Sequence, residues 1–307
     1  MKEIIDILDR NKTFADSDEK LVNLREGFTA LALDYGFHIE NIWGGNHKIL
    51  ELKENVTYRL FSSLFHYQLL LKQHYFIEQR IEKRIKNEPE RYTTLIYPKK
   101  HPDFEYAEKE VSAIFDSIVF HLASIFDYLS ILINFCISDK EKTPQWTSIS
   151  KSARDPQNDL SKRDIAGTIE SLNKEFVIRL YDYRSELIHK RSDINEYSFE
   201  SRIEPGKLLA RFICSNKIRR TFKNYGEESK DYTVSHFSVW LIDMTANLIA
   251  KILLSLKREI KKDSKFPFHT YKDGTKPFLM YVDPITNVAA SPASPHWEKF
   301  GKHFNDI

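Results

Sequence analysis

DIAGTIESLNKEFVIRLYDYRSELIHKR, Asp164 to Arg191, is the stretch that decides how this chain folds. Its apolar positions Ile165, Ile169, Leu172, Phe176, Leu180, Tyr183 and Leu187 step by 4-3-4-4-3-4, the spacing that holds one stripe on one side of an α-helix. A near-heptad stripe of this kind must be covered by a neighbouring helix. The stretch therefore predicts a long helix inside a helical bundle, and the rest of the chain supplies its neighbours.

Upstream, HPDFEYAEKEVSAIFDSIVFHLASIFDYLSILINFCISD opens at Pro102-Asp103, a favourable helix start, and is apolar on more than one face, as a central helix is. Asp116, His121 and Asp127 inside it, like Asp243 and Lys251 inside Val234 to Leu256, argue for core helices rather than membrane spans. His121 and Asp127 read as hydrogen-bonded core polar groups rather than ligands. Before it, Glu54 to Asn87 predicts a long helix that stops ahead of Glu88-Pro89, because proline disfavours helical geometry in the preceding residue. Its inner positions are Leu60, Leu64, Tyr67, Leu71 and Tyr75, and its end, EQRIEKRIK, is a charge-paired outer face. Leu21 to Phe37 predicts another helix, with a break at Gly44-Gly45-Asn46, and MKEIIDILDRNKTF a short amphipathic one. Glu3, Asp6, Asp9 and Arg10 interrupt that first segment, so it lacks the apolar core of a signal peptide.

Between the central helix and Asp164, residues Asp139 to Arg163 read as a polar loop. After Arg191 the texture changes to the β-leaning runs YSFESRI, KLLARFIC and KIRRTF, punctuated by Pro205-Gly206 and Ser215-Asn216. Tyr232 to Lys262 predicts the last long helix. Five of the eleven prolines fall beyond Lys265, so the tail reads as irregular, with aromatics that pack it on the surface. The expected fold is mostly α: an up-and-down helical bundle with long helices and a small β-hairpin or meander inserted near residues 197–223. Three regions follow: an N-terminal helical region at 1–100, the bundle with its β insertion at 101–264, and a proline-rich tail at 265–307.

Composition agrees with long helices. Nine glycines in 307 residues, beside 21 phenylalanines and 15 tyrosines, disfavour a glycine-looped nucleotide fold and favour regular elements packed on aromatic rings. A formal charge of +2 provides no global field for polyanions, so contact with nucleic acid depends on a local basic patch. Cys136 and Cys214 lie in apolar runs without paired spacing, as reduced, buried thiols of a cytoplasmic protein do. There is no C-x-x-C, and no carboxylate cluster has metal-ligand spacing, so neither a metal nor a cofactor is expected. The basic clusters Lys217-Arg219-Arg220 and Lys257 to Lys262 read as solvated faces, the first of them also able to guide RNA.

Chemistry concentrates at the end of the opening stretch. At about 100° per residue, Arg184 falls at the edge of the apolar stripe and His189 about 140° further round, almost opposite it. A histidine that titrates near neutrality can take a proton from a ribose 2′-hydroxyl or give one to a leaving 5′-oxygen. An arginine's planar fork can hold the phosphate between them. Lys190 and Arg191 add charge for a phosphodiester backbone, and Ser185 adds a hydroxyl. A second pair, Arg59 and His66, lies in the apolar run RLFSSLFH with no basic flank and reads as packing.

The motif D-Y-R-S-E-L-I-H-K-R late in a bundle helix, behind the apolar helix IFDSIVFHLASIFDYLSILINF, resembles the HEPN superfamily (higher eukaryotes and prokaryotes nucleotide-binding), whose signature is Arg-x(4–6)-His. The resemblance covers about half the chain, from the central helix through the last one. It implies a homodimeric helical bundle in which two Arg/His motifs line one cleft, with RNA as substrate. In many members the activity is a metal-independent endoribonuclease of toxin–antitoxin, phage-defence or CRISPR-linked systems, so an antitoxin protein is a further partner. Arg184 and His189 are then the catalytic pair, and Ser185, Lys190 and Arg191 contact RNA phosphates. Arg191 stands where one subgroup carries a tyrosine modified by nucleotidylation, so that regulation is not implied. The rival reading is a non-catalytic HEPN-like nucleotide-binding or protein-interaction module. Neither reading calls for a membrane.

Overall fold

The computed structural model describes residues 7–40, 47–87, 102–138, 144–189, 198–204, 207–214, 216–223, 225, 233–264, 281–282, 289–290 and 293–304. These are mostly helical and make a helical bundle. In chain order the helices are α1 (Ile7–Tyr35), α2 (His47–Asn87), α3 (Pro102–Ser138), α4 (Trp146–Arg154), α5 (Asp164–Leu172), α6 (Ile178–His189), α7 (Asn216–Thr221), α8 (Val234–Lys262) and α9 (Ser294–Phe304). A π-helical turn, Gly36–Glu40, extends α1, and another, Asn173–Val177, joins α5 to α6. Ser198–Glu204 (β1) and Lys207–Ile213 (β2) pair antiparallel, with Ser198 opposite Ile213 and Glu204 opposite Lys207. Tyr281–Val282 (β3) and Ala289–Ala290 (β4) form a second antiparallel pair.

Several elements differ from the sequence reading. The two expected N-terminal helices are one, α1, because residues 15–20 hold no glycine or proline to end it. The break at residues 44–46 lies outside the described residues, and α2 begins two turns before Glu54. The expected loop at 139–163 contains α4, whose Trp146, Ile149 and Ala153 are buried. KIRRTF, read as β-leaning, includes the helix α7. The tail is regular at α9, where Trp297, Phe300 and Phe304 are buried and Pro295 sits in the first turn, a position that needs no proline N–H.

The 4-4 step in the opening stretch has a structural counterpart. In a regular helix two steps of four carry a side chain about 80° off its line. The π turn Asn173–Val177 falls at that step, between Leu172 and Leu180, and a π turn is wider than a regular one. Ile165, Ile169, Leu172, Phe176, Leu180 and Tyr183 are all buried, and only Leu187 is half-buried. Helix α2 has the same double step, from Tyr67 through Leu71 to Tyr75, without a π turn. There the line drifts: Tyr75 is exposed, and Leu70, His74 and Ile77 take the inner positions.

The chain divides into two compact units. The first comprises Met1–Ser17, Ser62–Ala123 and Ile178–Asp243. Its core is aromatic: Phe115 packs on Tyr183 and Phe237, Tyr183 on Phe222, and Phe237 stacks on Trp240 at 5.8 Å. Edge-to-face and offset contacts of this kind order a core beyond simple area burial. Buried His74 stacks on Phe212 at 5.1 Å, and its Nδ1 lies 2.8 Å from Ser235 Oγ.

The second unit comprises Asp18–Phe61, Ser124–Val177 and Met244–Ile307. Phe126, Trp146 and Phe176 pack together at its centre, and Trp146 Nε1 donates to Asn173 Oδ1 of the π turn at 3.0 Å. Asp127 accepts from the Trp146 backbone N–H at 3.1 Å, the satisfied role expected of it. In the Lys257 to Lys262 run, expected to be a solvated face, Arg258, Lys261 and Lys262 are exposed, while Glu259 and Ile260 between them are buried. Buried Glu259 accepts from the Ile165 backbone N–H at the start of α5 and pairs with Arg163, while Lys262 pairs with Asp164. Lys257 lies 4.2 Å from the centre of the Trp297 ring, and burial, with Lys261 nearby, lowers its pKa.

Tyr106–Ser138 and Val234–Lys262 are long and apolar enough to cross a membrane, and 61% and 67% of their most apolar windows are buried within the protein. Cys136 and Cys214 are both buried, and desolvation pushes the Cys136 thiol far above its ordinary pKa.

Candidate functional site

Helix α6 positions the Arg/His motif. Its inner line, Leu180 and Tyr183, is buried, and Tyr183 is gripped edge-on by Phe115 and Phe222 at 6.4 and 5.8 Å. That anchoring fixes the rotation of the helix and therefore the direction of every residue on its outer side. Arg184, next to Tyr183, is half-buried. Its Nε is buried and has no hydrogen-bond partner among the described residues. Such an orphan is unusual, because buried polar atoms nearly always find partners. No carboxylate within ion-pair distance of Arg184 is found among the described residues.

Ser185 and His189 are exposed. His189 is the last residue of α6. Along the helix, His189 stands about 7.5 Å from Arg184 and about 140° round. Ile188 beside it is 49% exposed, an apolar residue turned to solvent at the motif's end. Lys190 and Arg191 lie outside the described residues. The basic cluster's Arg220 is exposed at the end of α7, in the same compact unit as the motif.

The second Arg/His pair is engaged in packing. In the second unit, Arg59 donates to Tyr128 Oη at 3.4 Å, and its guanidinium lies 5.5 Å from the Tyr128 ring centre and 5.7 Å from that of Tyr58. In the first unit, His66 Nδ1 donates to the Ser62 carbonyl at 2.7 Å, which places the ring proton on Nδ1. The His66 ring also packs on that of His121, with 5.0 Å between centres. The His66/His121 contact escaped the sequence reading because the two residues lie on different helices, and helical spacing relates only residues of one helix.

Among the described residues, no three His, Cys, Asp or Glu side chains are grouped to share a metal ion. Compared with protein-family models, with curated proteins and with solved structures, the chain matches none.

Proposed function

We propose that the protein is a metal-independent endoribonuclease of the HEPN type, acting as a cytoplasmic homodimer in a toxin or phage-defence role. The observation that carries this reading is the state of Arg184: half-buried, with an orphaned Nε and, among the described residues, no carboxylate claiming its fork, about one and a half turns from an exposed histidine. An arginine prepared in this way is available to an anion.

In the proposed reaction, His189 takes the proton from a ribose 2′-hydroxyl. The 2′-oxygen attacks the adjacent phosphorus, the bond to the 5′-oxygen breaks, and that oxygen leaves with a proton from a histidine acting as acid. Arg184 holds the phosphoryl oxygens as charge develops on them. The products are a 2′,3′-cyclic phosphate and a 5′-hydroxyl. Ser185 contributes a hydroxyl, and Lys190 and Arg191 charge, to the flanking phosphates. In this reading β1 and β2 form a hairpin inserted between long up-and-down helices, and an antitoxin protein would be a natural partner.

The second reading is a non-catalytic HEPN-like module that binds a protein or nucleotide. Incubating the protein with mixed RNA in excess EDTA separates the two. Cleavage by the parent that leaves cyclic phosphate ends, with a loss of at least about 100-fold in Arg184→Ala and in His189→Ala, supports the nuclease. A folded parent that leaves RNA intact supports the binding module. Equal cleavage by all three proteins removes the pair from the chemistry.

A further inference from the structure

We propose that the groove between α5 and α8 in the second unit binds a small phosphomonoester of about mononucleotide size. It is an open groove of about 330 Å³, at the lower end of the range that small ligands occupy. On one side, α5 presents Gly167, Thr168 and Ser171; on the other, α8 presents Lys251, Leu254 and Arg258. Residues 251, 254 and 258 are spaced by three and four, so one face of α8 carries both cations with an apolar residue between them.

The chemistry of the lining is that of an anion site with an apolar floor. Two cationic side chains and two hydroxyls line it, and among the described residues no carboxylate does. The nearby acids are partnered outside the lining: Asp164 pairs with Lys262 and also senses the charge of Arg258, and Glu259 pairs with Arg163. Lys251 has no ion-pair partner among the described residues.

Hydrogen bonds inside the wall also favour a ligand. Arg258 Nη2 donates to Ser255 Oγ at 3.1 Å, which holds the guanidinium at the groove and leaves its other N–H groups free. Ser255 Oγ lies 2.9 Å from Thr168 Oγ1. With the Ser255 proton directed at Thr168, the Thr168 proton points to the ligand, and each donor in the relay strengthens the next. A phosphate dianion accepts from all of these groups, whereas a carboxylate has one oxygen fewer and half the charge. Leu254 and Leu172 give the rest of the ligand an apolar surface.

Gly167 keeps the mouth open. A Cβ built there meets nothing within 4 Å, so a larger side chain fits the fold while narrowing the entrance.

The test is calorimetric titration of the full chain with AMP, ribose 5-phosphate, inorganic phosphate and adenosine. The expected result is one AMP bound per chain, no binding of adenosine, and affinity reduced about tenfold or more in Lys251→Gln and in Arg258→Gln. Gly167→Leu is expected to lose AMP binding while its melting temperature holds or rises, since leucine is the better helix former. Arg184→Ala is expected to bind AMP like the parent, which separates this site from the Arg/His motif. Ribose 5-phosphate binding as tightly as AMP would identify the phosphate and sugar as the recognised part, and tight binding of phosphate alone would overturn the mononucleotide-sized ligand. The site itself is overturned if AMP binds more weakly than about 1 mM, or if the parent and Gly167→Leu bind it equally.

Discussion

Asp116 is the residue at which the sequence pattern and the chemistry of its setting conflict most directly. It sits on α3 among apolar neighbours, and desolvation alone raises its pKa to about 6. The folded state thus holds a proton that the unfolded chain releases near the ordinary aspartate value of about 3.9. Between those values folding takes up a proton, so stability is greatest below about pH 4, falls as pH rises, and levels off above about pH 6. Asp116→Asn removes this penalty. Discounted for partial solvent screening, it is expected to stabilise the fold by about 1–2 kcal/mol at pH 7.5 and to have little effect at pH 4, read by urea unfolding at both pH values. An equal effect at the two pH values would show that the carboxylate is not desolvated. Arg184 illustrates the other residue-scale lesson. The helical wheel placed it at the stripe's edge, and half-burial is what the structure shows, but an orphaned Nε depends on neighbours from other helices and cannot be read from spacing.

At the scale of elements, α9 shows how a segment with weak sequence signals becomes structural. Its apolar residues Trp297, Phe300 and Phe304 fall at steps of three and four but are surrounded by prolines and polar residues, so the tail reads as irregular. In the second unit they close against α1. Trp297 Nε1 donates to Asp34 at 2.7 Å, Glu26 pairs with His296 and Lys299, and Phe300 lies over Gly27. Burial pushes the Glu26 carboxyl up, but the His296 hydrogen bond and the Lys299 charge outweigh it and hold its pKa below the ordinary value. Its share of the docking is therefore present above pH 4.5 and is lost as pH falls through the depressed pKa. Gly27 is the steric key: a Cβ there would stand 2.4 Å from a Phe300 ring carbon and 3.1 Å from Leu253. Gly27→Ala is expected to destabilise by about 1–3 kcal/mol, although alanine is the better helix former, and to expose α9 to limited proteolysis. Adding Phe300→Leu should recover part of that loss, giving a double-mutant coupling of at least about 0.5 kcal/mol. Strict additivity would show that the ring and the glycine do not meet.

At the scale of the whole molecule, the proposed nuclease requires two copies, because one motif supplies one histidine and the reaction uses both a base and an acid. Light scattering is then expected to give twice 36.2 kDa, and cleavage per chain should fall on dilution below the dimer's dissociation constant. Activity per chain that stays constant while the species becomes monomeric would contradict this.

The long helices α2, α3 and α8 and the stripe from Ile165 to Tyr183 were legible in the sequence, because a helix buried on one side has to repeat apolar residues at its own period. The joining of two expected helices into α1 was there to be read as well, since residues 15–20 hold no glycine or proline, but the π turn Asn173–Val177 and the helix hidden in the tail were not. Each depends on which side chains meet across segments far apart in the chain, as Trp146 meets Asn173 and Phe300 meets Gly27. The same division holds for sites. Arg184 and His189 share one helix, so their spacing alone nominates them. The groove of Thr168, Lys251 and Arg258 is assembled from helices that lie about 85 residues apart, and only tertiary packing brings its charges together.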